Sequence, residues 1–175
     1  MSRAVRFAPL ALLLLVTAGL IWRLATPADT TVRSNLEGQP MPAFALPPAL
    51  SSKPGLASAD LSTGQPRLVN VFASWCIPCI TEVKVLQQLQ ARGVRIDGIA
   101  IRDRGEDIAA FLQRYGDPYQ RIGSDAQSAT QIALGSSGVP ESFIVDGTGV
   151  IRYQHVGPIE AADVPKIVRE LEKAR

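Results

Sequence analysis

Histidine is almost missing from this sequence: 175 residues hold a single one, His155. Only two cysteines accompany it, Cys76 and Cys79, so the four soft ligands of a closed structural zinc site are lacking. Two cysteines also exclude a small fold stapled by several disulfides. An excess of one charge is absent as well. Eighteen Lys and Arg against sixteen Asp and Glu leave +2, without the basic stripe of an electrostatic nucleic-acid binder. Aromatics are sparse at 6%, but a 46% hydrophobic share suffices for a core. The length suits one domain with a short appendage.

Charge is also missing from the run between Phe7 and Trp22, 16 residues dense in Leu, Ala, Val and Ile. Arg3 and Arg6 precede it and Arg23 follows. A spanning helix wants about 20 apolar residues, and Arg23 can reach the interface along its aliphatic stem. Residues 1–25 therefore predict an N-terminal membrane anchor, with a cleavable signal peptide as the competing reading. Thr26-Pro27-Ala28 makes a poor cleavage site, and no Cys follows closely enough for a lipid anchor. Either way the positive residues stay cytoplasmic and the remainder is exported.

Residues 26–37, rich in small and polar types, predict a flexible tether, and residues 38–175 a folded domain. Gln39-Pro40-Met41-Pro42-Ala43-Phe44 introduces the domain as an extended segment, because residues before Pro leave the α region. Residues 68–73 read as a buried strand, 81–90 as a helix, and 94–101 as a strand. Residues 107–115 and 128–134 read as helices, and 142–145 with 150–156 as a hairpin across an Asp-Gly turn. Residues 164–174 close the chain as a helix, with Asp163 as candidate N-cap. The order β-α-β-α-α-β-β-α implies an α/β fold, a mixed central sheet flanked by helices.

Trp75-Cys76-Ile77-Pro78-Cys79 lies after the first of these strands, at the start of a helix. A Cys-x-x-Cys pair beside a β-α-β pattern matches a thioredoxin-like redox motif. At a helix N-terminus, unpaired N–H groups and the dipole favour an anion, lowering a thiol pKa by roughly one unit. Cys76 is then the attacking thiolate and Cys79 the resolving thiol. The competing readings are an inert disulfide, worth only about 2 kcal/mol for so short a loop, and a metal pair, for which His155 is the one obvious further ligand. Pro140, in Gly138-Val139-Pro140-Glu141, reads as a strand start or as a cis-proline loop facing the dithiol. Glu82 follows Cys79 by one turn, either on a solvated face or, if buried, as a proton acceptor for Cys79. His155 reads as a surface strand residue.

Several segments resemble the CcmG/DsbE family of membrane-anchored thioredoxin-like proteins of cytochrome c maturation. They are the N-terminal anchor, Gly38-Gln39-Pro40-Met41-Pro42-Ala43-Phe44, and Val69-Asn70-Val71-Phe72-Ala73-Ser74-Trp75-Cys76-Ile77-Pro78-Cys79. Gly138-Val139-Pro140-Glu141-Ser142-Phe143-Ile144-Val145-Asp146 and Gly149-Val150-Ile151-Arg152-Tyr153 complete the match. The resemblance implies a thioredoxin-like fold behind a single transmembrane helix in the bacterial inner membrane, with the catalytic domain in the periplasm. It implies a thiol:disulfide oxidoreductase that reduces the Cys-x-x-Cys disulfide of apocytochrome c before haem attachment. Electrons would come from a membrane thiol carrier of the DsbD or CcdA type.

By position, the resemblance makes Cys76 the nucleophile and Cys79 the resolving thiol, with Trp75 beside them. Glu82 becomes the helix acid, Pro140 the cis-proline, and Glu141 a second acid of an acidic patch. No cofactor is implied beyond the Cys76–Cys79 pair, and no metal. One departure stands out: Asn70 occupies the place where ordinary thioredoxins carry a buried Asp, so proton acceptance falls to Glu82. Residues 128–137 follow the pattern poorly and are a candidate for partner choice. Ala73 stands where thioredoxin-fold peroxidases carry Thr, which disfavours peroxidase chemistry. The alternatives are a general periplasmic reductase or isomerase of the same fold, and a non-catalytic tethered binding module with a closed disulfide.

Overall fold

The structure, a computed structural model, describes residues 3–25 and 36–175. The chain forms two separate units, divided between Val32 and Arg33. The first contains helix α1, Arg3–Ala25, on which Leu12, Leu15, Ile21 and Trp22 are exposed. Its uncharged stretch ends at arginines on both sides. Among the described residues no helix is long and apolar enough to cross a membrane. The expected tether lies, as far as residue 35, outside the described residues.

The second unit opens with an antiparallel ribbon, β1 (Ala45–Leu46) against β2 (Leu56–Ala57). Then follow β3 (Arg67–Phe72), α2 (Ile77–Ala91), β4 (Ile96–Ile101), α3 (Gly105–Tyr115) and β5 (Ile122–Asp125). α4 (Ala129–Ala133), β6 (Glu141–Val145), β7 (Ile151–Val156) and α5 (Val164–Lys173) complete it. The main sheet runs β5-β4-β3-β6-β7. β3, β4 and β5 are parallel, whereas β6 and β7 run antiparallel, so the sheet is mixed. Central β3 and its neighbour β4 are buried at every position, as strands covered on both faces must be. The extended segment before β1 lies along the β6–β7 hairpin, with Gly38 N–H donating to Ile151 O (2.7 Å) and Met41 N–H to Gly149 O (2.8 Å).

Three expectations are corrected. The sequence pattern predicts no strand at β5, yet one forms. Ile122-Gly123-Ser124-Asp125 carries a single apolar side chain, and its backbone is recruited by the edge of β4. α2 begins at Ile77, four residues before its apolar spacing becomes visible, because Cys76 caps it and Pro78 occupies its first turn. Asp163 does not cap α5 through its side chain; its carboxylate accepts the N–H of Glu160 instead (2.9 Å).

Arg67 and Asp97 form an ion pair within the core. Arg67 Nη1 meets Asp97 Oδ2 at 2.5 Å, tying β3 to β4, and burial pushes the Asp97 carboxyl up against the pull of Arg67. Next to it, Gly98 keeps β4 bare. A Cβ there would lie 2.8 Å from Phe72 Cε1 and 3.1 Å from Tyr119 Cδ1. The space it leaves is filled by the stacked Phe72 and Tyr119 rings, 4.6 Å apart. That stack holds Tyr119, from the loop before β5, under β3.

Candidate active site

β3 runs straight into the cysteine motif. The carboxylate of Asp103, just past β4, accepts from Ser74 N (2.5 Å) and Ser74 Oγ (2.8 Å), so the approach to the motif is held from the neighbouring strand. Trp75 then turns outward, more than half exposed, with its indole N–H on Arg102 O at 3.2 Å. The Arg102 guanidinium lies 6.0 Å from the ring centroid. Ile77, three-quarters exposed, flanks the pair on its other side. Between them Cys76 and Cys79 are buried and joined as a disulfide, with Cα atoms 5.3 Å apart.

Cys76 is the N-cap of α2, and its Sγ accepts the N–H of Cys79 at 3.1 Å. In the reduced pair, that donor and the helix dipole lower the cost of a thiolate on Cys76. Pro140 enters at the same end of the sheet. Val71 pairs with Glu141, which sets Pro140 level with the end of β3, where α2 departs. The Val139–Pro140 peptide bond is cis.

Glu82 is not solvated. It lies on the stripe Cys79, Glu82, Val83, Leu86, Leu89 that α2 turns into the core, and it is 1% exposed. Its Oε2 accepts Ile159 N–H (3.0 Å) and its Oε1 accepts Asn70 Nδ2–H (3.0 Å). Burial outweighs these two bonds and pushes its carboxyl up to about 7. A carboxyl poised there, one turn from Cys79, is equipped to take and return a proton near neutral pH.

Asn70 is fully buried and forms the centre of a network. Besides Glu82, its Nδ2 donates to Ser142 Oγ (3.0 Å), and its Oδ1 accepts the Tyr119 hydroxyl (2.7 Å). Glu141 is also inside. It accepts Ser137 N–H (3.0 Å) and the Gln154 side-chain amide, so the two carboxylates are core groups and do not form an acidic surface. His155 stays with β7 and its following loop, its Nε2 3.2 Å from Pro158 O. The 128–137 stretch forms α4 and the turn after it, and presents Ile132 to solvent. Sequence spacing alone singles out neither Tyr119, Ser142 nor Asp103. Tyr119 follows Asp117-Pro118 in an aperiodic loop, and Ser142 looks like any strand residue. No group of three His, Cys, Asp or Glu is placed to hold a metal among the described residues.

The family model named Redoxin matches residues 36–171. The chain is 37% identical over 164 residues to the thiol:disulfide interchange protein DsbE of Escherichia coli K12, covering 91% of this chain and 88% of that one. It is 33% identical over 175 residues to the thiol:disulfide interchange protein HelX of Rhodobacter capsulatus, covering 98% and 97%. Among solved structures, a chain from Chlorobium tepidum described as a DsbE thiol:disulfide interchange protein superposes with a TM-score of 0.68 at 26% identity. That superposition covers 79% of this chain and 96% of that one. With a helix-capping Cys76–Cys79 disulfide on a thioredoxin-like sheet and these relatives along nearly its whole length, the chain belongs to the Redoxin family, in its DsbE group, and is a thiol:disulfide oxidoreductase.

Proposed function

We propose that the protein is an exported, membrane-held reductant that opens the Cys-x-x-Cys disulfide of apocytochrome c ahead of haem attachment. The observation that carries this is the Cys76–Cys79 pair at the start of α2 with buried Glu82 one turn along. The Cys76 thiolate attacks one sulfur of the partner disulfide. A Cys76–partner bond forms, the partner S–S bond breaks, and the released thiolate takes a proton from water. Glu82 then accepts the Cys79 proton. The Cys79 thiolate attacks Cys76 sulfur, re-forms the pair and expels the second partner thiolate. The partner gains two electrons and the pair loses them, so a membrane thiol carrier of the DsbD or CcdA type must re-reduce it. The reaction needs no cofactor besides the pair. Exposed Trp75 and Ile77 supply the apolar rim on which an extended partner segment rests, with buried Pro140 at the same end of the sheet.

The reduction potential tests this reading. Equilibrated against glutathione or dithiothreitol, the pair should approach the thioredoxin value of about −270 mV. A value near about −120 mV would identify a disulfide donor and overturn the assignment.

The N-terminal helix is the proposed anchor in the inner membrane. Its support is the exposed apolar surface of α1 with arginines at both ends, which needs cover from lipid or protein. On alkaline carbonate extraction of cells, the full chain should stay with the membrane pellet, and a chain starting at Glu37 should not. Extraction of the full chain into the supernatant would refute the anchor.

A further inference from the structure

The Tyr119–Asn70–Glu82 chain has a direction. Tyr119 is 2% exposed, and its ring is fixed by the stack on Phe72 at 4.6 Å. Burial, and after it the charges of Glu82 and Asp117, push its hydroxyl well above the ordinary tyrosine value, so it keeps its proton and donates. The acceptor is Asn70 Oδ1, at 2.7 Å. With the carbonyl end of the amide so engaged, the Nδ2 end faces Glu82 Oε1 and Ser142 Oγ, both at 3.0 Å. Glu82 Oε2 is already held by the Ile159 backbone N–H. Both carboxylate oxygens therefore face donors, which favours the charged form and opposes the upward push of burial. A hydroxyl donating into an amide that donates into a carboxylate polarises each link in the same sense.

We propose that Tyr119 is a positioning residue for disulfide exchange: by donating to Asn70 it turns the Asn70 amide N–H onto Glu82, and so sets the pH at which Glu82 can accept the Cys79 proton. The inference rests on the reading that Glu82 serves Cys79. The other donor to Glu82 is the Ile159 backbone N–H. Ser142 is bonded to Asn70 and carries no charge. On α2 the buried stripe flanks Glu82 with Cys79 and Val83. Asp117, which acts on Tyr119, is paired to Lys53 at 2.8 Å.

The test follows Glu82 directly, by carboxyl carbon NMR of the full chain in detergent, beside the pH profile of mixed-disulfide release. Tyr119→Phe keeps the ring and removes the hydroxyl. Its Glu82 titration should move up by about half a pH unit, a roughly threefold change in proton affinity. The release profile should move with it. In an Asn70→Leu background the same Tyr119→Phe change should move nothing further. An unmoved Glu82 in Tyr119→Phe, or a shift that persists without Asn70, overturns the proposal. Should Tyr119→Phe fail to fold, chain labelled with 3-fluorotyrosine, a stronger donor, should show the opposite, a lowered Glu82 titration; no lowering overturns the proposal equally. Failure of the underlying reading looks different. Glu82 would then respond to Tyr119 as stated, while Glu82→Gln left the release rate unchanged.

Discussion

Cys79→Ser should accumulate a covalent adduct with its disulfide partner, whereas Cys76→Ser should form none. The asymmetry follows from where the two sulfurs lie. Cys76 caps α2 and accepts the Cys79 N–H, so its thiolate is the one that the helix end stabilises. Cys79 is inside the first turn, off the helix end and bonded to Cys76, so it is placed to resolve the adduct. Without the resolving thiol, the mixed disulfide has no internal route to release. The measurement is non-reducing electrophoresis of whole cells carrying each variant. Turnover in an insulin or model-peptide reduction assay should drop by at least about 10³-fold for either variant, since each removes a bond-making step. A tethered binding module with a closed disulfide would show no adduct with Cys79→Ser, and that outcome would end the catalytic reading.

Glu82→Gln should slow release of the mixed disulfide by roughly 10²-fold near neutral pH, the usual lower range for loss of a general base. Stopped-flow measurement of adduct decay separates this from the attack by Cys76, which should change little. The same substitution should alter stability in a pH-dependent way. Burial raises the Glu82 carboxyl from 4.5 to about 7, so the folded chain keeps a proton that the unfolded chain has released. The stability contributed by this group is complete below about 4.5 and is lost as pH climbs through about 7. Glutamine has no charge to bury, so denaturant unfolding of the variant should lack this fall between pH 5 and pH 8. Above pH 7 the variant should be the more stable by up to about 3 kcal/mol, less whatever its amide loses facing the Asn70 N–H. A fall of the same size in both proteins would mean that Glu82 is not the group responsible.

Much of this arrangement can be read in the chain. The run at 68–73, the apolar spacings at 108, 111 and 112 and at 164, 167 and 171, and the Asp-Gly turn each force one local structure. The turn does so by chemistry: Asp146 Oδ1 accepts the N–H groups of both Thr148 and Val150. The burial of Glu82 is only half legible: its place one turn after Cys79 fits a solvated face equally well, and the docked helix decides for the core. β5 is not legible, since its existence depends on an edge presented by β4 and not on its own side chains. Nor is the Asn70 network. Asn70, Tyr119, Ser142 and Ile159 lie on four separate segments, and only the assembled sheet shows that their polar atoms must satisfy one another.

The β3–β6 pairing joins residues 67–71 to residues 141–145, and Ile159 completes the surroundings of Glu82 from 77 positions away. A chain emerging amino end first therefore presents both cysteines before the segments that bury Glu82 and carry Pro140 exist. At that stage the thiols lack the buried acid, its network and the proline loop beside them. Late closure of these distant contacts is slow relative to helix formation. The complete surroundings of the pair therefore exist only once the carboxy-terminal hairpin and the segment behind it have docked.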